Sequence, residues 1–159
     1  NWTSADLPHF RAEYRVMQRL VRGLRDAGVP LLAGTDDMVP VQLPGFALKD
    51  EMIQLQEAGL TPFEVLQAAT ETPARFLGRS GHAGVVRAGY DADLVLLDAN
   101  PLEDAGNSFR QAGVMLHGRW LSEADLQRGL WSGATATAGR PSARDPQATC
   151  KALRPLVCG

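Results

Sequence analysis

Residues 29–34 read Val-Pro-Leu-Leu-Ala-Gly, a short apolar run with no polar alternation. A strand that shows one face to water alternates apolar and polar residues. An unbroken run marks a strand buried on both faces, as in parallel sheets. Such a strand needs parallel neighbours along its edges, and this chain contains one clear strand of the kind. The residues before it read as a long helix. Phe10, Tyr14, Met17, Leu20, Val21, Leu24 and Ala27 recur at steps of three and four. Thr3 or Ser4 can cap its start, and Gly28 stands where a left-handed residue closes a helix. A helix, a one-residue link and a buried strand make half of a βαβ unit. The strand stops at Thr35-Asp36-Asp37.

Downstream, residues 38–45 read as a loop with Pro40, Pro44 and Gly45. The spacing of Leu48, Met52 and Leu55 predicts a helix over 46–58, ended by Gly59. Thr61-Pro62 with Glu64 spells a capping box with proline at the first helical position. Thr72-Pro73 repeats the cap-and-proline device for one more short helix, ended by Gly78. The pattern then changes. Val85-Val86 and residues 92–98 read as strands, and the run Leu94 to Leu97 is expected in the core. Residues 113–116 and 119–121 read as a hairpin turning at His117-Gly118, and Ser122 caps a last helix. From Ser132 the text turns to Thr, Ala, Gly, Pro, Ser and Arg, with no aromatic residue after Trp131. This predicts a disordered tail over 132–159. The expected organisation is therefore an α/β part over 1–78, a small β unit over 79–131 and the tail.

The formal net charge of −2 gives no electrostatic reason to expect nucleic acid or an anionic membrane as partner. A small-molecule substrate is the expected partner, and a homo-oligomer is compatible with the chain. The two cysteines, Cys150 and Cys158, both lie in the last ten residues, so no disulfide framework holds the body together. No apolar run is long enough to span a bilayer. The chain opens at Asn1, at the edge of a helix and without an initiator Met, so a missing start is expected. With no signal peptide visible, a cytoplasmic location is favoured.

Four stretches together carry a family resemblance. They are Leu32-Ala33-Gly34-Thr35-Asp36; Glu57 to Pro62; Ala68-Ala69-Thr70 with Pro73 to Gly78; and Gly84 to Pro101. Their order and spacing resemble the C-terminal part of the metal-dependent amidohydrolase superfamily, in its imidazolonepropionase-like and prolidase-like branches, over about residues 15–121. The resemblance implies an α/β fold: the C-terminal portion of a (β/α)8 barrel followed by part of a small β-sandwich. In that frame residues 29–34 match the eighth barrel strand, 46–78 the closing helices and 84–121 the sandwich strands.

The resemblance also implies a role for Asp36. In the family, the Asp of the corresponding Gly-Thr-Asp motif binds the metal and relays a proton from metal-bound water to the leaving group. Asp36 is thus the expected catalytic residue and metal ligand, with a divalent ion, zinc, as cofactor. The chemistry is sound. A divalent metal lowers the pKa of bound water from about 15.7 to about 7, and an adjacent carboxylate can act as general base. The expected reaction is hydrolysis of carbon–nitrogen bonds in cyclic amides, amides or dipeptides. The plain alternative for an Asp after a strand is a turn former or helix cap.

The departures from the family pattern are specific. The His-x-His motif, the bridging Lys or Glu and the mid-barrel histidines are absent. His9, His82 and His117 have no ligand spacing with one another and read as surface or turn histidines. Lys49 stands where related sequences often have His, and a helix-surface role is favoured for it. A catalytic zinc takes three protein ligands plus water, and a full barrel takes roughly 250 residues. The chain is therefore expected to be a C-terminal fragment whose activity belongs to its parent. Two other readings stand beside this one. A non-catalytic relative could serve as a structural or interaction protein. An independent small α/β module would have to leave its buried strand without neighbours.

Overall fold

The computed structural model describes residues 4–36 and 46–136. Asp37, the 38–45 loop, the Thr3 cap and residues 137–159 of the expected tail lie outside them. Helix α1 spans Leu7–Asp26, after a single 3-10 turn over Ser4–Asp6. It thus begins later than a cap at Ser4 would place it. Pro8 enters at the second helical position, where no intrahelical hydrogen bond is lost. Gly28 closes it with φ +73°.

Residues 29–34 do not form a strand. They run extended but unpaired, because the described residues offer them no neighbouring strand. Helices α2 (Ala47–Glu57), α3 (Pro62–Ala69) and α4 (Glu71–Phe76) follow. The capping box of α3 is formed as expected: the Glu64 N–H donates to Thr61 Oγ1, and the Thr61 N–H and hydroxyl donate to Glu64. These bonds from Thr61 hold the Glu64 carboxyl below its ordinary pKa. Thr72-Pro73 is not a second cap. Helix α4 already begins at Glu71, and Pro73 is its third residue, where its missing N–H costs nothing.

The β unit is a three-stranded antiparallel sheet in the order β1 (Leu94–Leu97), β2 (Gln111–Leu116), β3 (Arg119–Ser122). Val85-Val86 pairs with no strand among the described residues, and Val86 is 86% exposed. The β2–β3 turn has positive φ at both His117 and Gly118, the geometry of a type I′ hairpin. Leu94 faces Met115, and Met115 faces Trp120, across one side of the sheet. The Trp120 ring lies over Gly113 so closely that a Cβ there would sit 2.3 Å from Cζ2. Helix α5 (Glu123–Ala136) packs on β2 and β3. It opens with Ser122 bonded to Asp125 and continues past residue 131, so 132–136 are helical where tail was expected. Val95 and Leu96 are about half exposed, against the expectation that β1 is core throughout. Among the described residues β1 is an edge strand, with a neighbour on one side only.

The core does not respect the boundary at residue 78. Met52 and Leu55 of α2, Leu60, and Val65 and Ala68 of α3 are buried together with Ala105. Ala105 opens a 3-10 turn (Ala105–Phe109) that leads into β2. Its N–H donates to Gln56 Oε1 at 2.8 Å, so α2 grips the β unit directly. At this same C-terminal end of α2, helix α1 holds the terminus. Arg22 Nε donates to the Ala58 carbonyl at 3.0 Å, and Arg25 donates to that of Gly59. Tyr14 donates to Glu57 Oε2, and burial followed by that carboxylate raises its phenol pKa.

Candidate active site at the end of the extended segment

The segment before Asp36 alternates although its sequence does not. Leu31, Ala33 and Thr35 are half-buried, while Leu32, Gly34 and Asp36 are exposed. Successive residues of an extended chain point to opposite sides. Leu31 and Ala33 pack against the helical core, and the Ala33 N–H donates to the Ala68 carbonyl at 2.9 Å. The helices therefore cover one face. Leu32 and Gly34 belong to the other, and Asp36 is exposed at the segment's end. Asp36 itself is in the left-handed region at φ +49°, which Asp tolerates better than most residues.

The C-terminus of α2 sits beside the last turns of α1, through Arg22 and Arg25. The extended segment starts there too, with the Val29 N–H bonded to the Leu24 carbonyl. Met52 and Leu55 share the core with Leu31 and Ala33. Lys49 is exposed in the first turn of α2.

The other titratable candidates stay apart. His9 pairs with Glu13 at 3.1 Å on the surface of α1. His117 sits in the hairpin turn and donates its backbone N–H to Asp93 Oδ1. His82 is exposed in the loop after α4. Among the described residues no group of three or more His, Cys, Asp or Glu side chains could hold a metal ion. One exposed carboxylate does not fit a catalytic metal centre. A cavity of about 340 Å³ lies elsewhere, between the 3-10 turn, β2 and α5, lined by Asp98, Arg110 and Glu123 among others.

The family model for the amidohydrolase family matches residues 14–121. The chain belongs to the amidohydrolase family. Within the family it is similar to imidazolonepropionase of Shouchella clausii, 36% identical over 81 residues, which are 49% of this chain and 17% of that protein. It is also similar to the solved structure of a bottromycin amidohydrolase, with a TM-score of 0.70 at 30% identity over 87% of this chain and 30% of that one. A putative prolidase from Bifidobacterium longum superposes with a TM-score of 0.58 at 27% identity, covering 85% of this chain and 29% of that one. The chain thus spans less than a third of the length of each relative. The resemblance read from the four motifs is borne out at the level of the family and of its imidazolonepropionase and prolidase neighbours. No helix among the described residues is long and apolar enough to cross a membrane.

Sequence reasoning pointed to Asp36 and favoured a helix-surface role for Lys49, which is exposed on α2. It missed Arg22, Arg25 and Gln56, which tie the C-terminal end of α2 to α1 and to the β unit. A run of basic residues on a helix carries no signal that two of them will close the end of another helix.

Proposed function

We propose that this chain is the C-terminal part of an amidohydrolase that cleaves carbon–nitrogen bonds in cyclic amides, amides or dipeptides. The carrying observation is the placement of Asp36. It is exposed at the end of a segment whose Leu31 and Ala33 pack against the helices and whose Leu32 and Gly34 are left open. In a (β/α)8 enzyme the open face is the barrel interior, and functional groups stand at the strand C-termini. Residues 29–34 would be the last barrel strand, paired by strands outside the described residues. Residues 46–78 would be the closing helices, and 84–121 would contribute strands to a sandwich. Asp36 would supply one carboxylate to a divalent metal, zinc, with the remaining ligands carried outside this chain. The substrate would be a small molecule.

The test uses the protein that carries this chain in full. It should hydrolyse N-acyl amino acids, dipeptides or cyclic amides and contain bound metal by plasma emission. Asp36→Asn should lower kcat by at least about a hundredfold, the scale of a lost general base. Unchanged turnover in that variant would remove Asp36 from the site. A folded, metal-free protein without amidase activity would instead favour a non-catalytic relative.

A further inference from the structure

We propose that the cavity between the 3-10 turn, β2 and α5 binds a free α-amino acid with an apolar side chain, at a site separate from Asp36. Three charged side chains, Asp98, Arg110 and Glu123, line this space of about 340 Å³, which lies at the small end of ligand pockets. No ion pair joins any of the three to another described side chain. Opposite charges beside one another ordinarily pair, as Arg79 and Asp91 do at 2.9 Å. Here the backbone fixes where each one starts. Asp98 follows β1 and Arg110 follows the 3-10 turn, and the Asp98 N–H donates to the Arg110 carbonyl at 2.8 Å. Glu123 opens α5, whose cap is made by Ser122 with Asp125, so Glu123 is not needed for that task.

The sheet is irregular at the same place. Leu96 faces Gly113 and Leu97 faces Gln111, so Ala112 is an extra residue in β2. A bulge of this kind bends its strand and re-aims the side chains beside it. Gln111, next to the extra residue, lines the cavity. Phe109 and Leu126, both half-buried, supply an apolar wall, and Phe109 packs on the helical core. A simple anion would meet two carboxylates here, and a simple cation would meet a guanidinium. A zwitterion satisfies both signs. Its carboxylate takes the fork of Arg110, and its ammonium takes Asp98 or Glu123. The apolar wall then selects an aliphatic side chain.

Calorimetric titration of the full protein with three probes tests this. L-leucine carries both charges, isocaproate lacks the ammonium and isoamylamine lacks the carboxylate. L-leucine should bind about tenfold more tightly than either, the scale of one charge-assisted hydrogen bond. Arg110→Gln should abolish the preference over isoamylamine, and Arg110→Lys should restore part of it. Asp98→Asn combined with Glu123→Gln should abolish the preference over isocaproate. Asp36→Asn should leave the affinity for L-leucine unchanged, because no residue of the 29–36 segment lines the cavity. L-leucine binding no more tightly than its analogues, a preference that survives these cavity substitutions, or a loss of L-leucine binding in Asp36→Asn overturns the proposal.

Discussion

Gly84 joins α4 to the β unit, and alanine there should be among the most damaging single-methyl changes in the chain. Its φ is +92°, and an added Cβ would lie 2.8 Å from Ala74 Cβ, 2.9 Å from Glu71 Cα and 2.9 Å from the Thr70 carbonyl oxygen. Two of these neighbours are backbone atoms of α4 and its start, which cannot swing aside as a side-chain tip can. The left-handed conformation alone costs about 1–2 kcal/mol for a residue with a Cβ. Forcing a methyl group into a filled site costs about 1–3 kcal/mol more. The expected loss for Gly84→Ala is thus roughly 2–5 kcal/mol. Gly81 provides the control. Its φ is +91°, but a Cβ there meets nothing within 4 Å. Gly81→Ala should show the conformational part alone, about 1–2 kcal/mol. Guanidinium denaturation of the full protein and both variants, read at constant slope, gives the difference directly. Equal midpoints for the two alanine variants would refute the clash, and with it the close seating of residue 84 on α4.

Three further outcomes follow from the packing. Thr61→Ala removes the capping box of α3 and should cost about 1 kcal/mol, measured by the same denaturation. Because the folded pKa of Glu64 lies below its ordinary value, its contribution is present above the usual carboxylate range and fades as pH falls through the folded pKa. Glu64→Gln should therefore flatten the acid limb of the stability profile, and an unchanged limb would show that Glu64 does not create it. Gln56→Leu leaves the fully buried Ala105 N–H without its acceptor, which should cost about 1–3 kcal/mol and speed hydrogen exchange at that amide.

Local chemistry made much of this protein readable. Thr61-Pro62 with Glu64 caps a helix because the groups that satisfy one another lie within four residues. His117-Gly118 turns a hairpin through dihedrals that only a few residue types adopt easily. The motif around Asp36 identified the family because the order of four short stretches survives in a linear text. Other features were decided at a distance. The apolar run at 29–34 asks for strand neighbours, and hydrogen bonding to a neighbour is what makes an extended segment a strand, so its state depends on residues elsewhere. Thr72-Pro73 looks like a second cap, yet α4 starts earlier because Glu71 already continues the chain from Thr70 in helical form.

What the sequence alone determined was the type of each capped or periodic element, the family, and Asp36 as the residue to follow. Only the tertiary structure decided that Ala105 enters the helical core and that Arg22 and Arg25 close α2. Caps and periodicities are satisfied within a few residues of chain. The direction in which one helix runs along another segment is set by contacts between residues more than thirty positions apart, which leave no local trace.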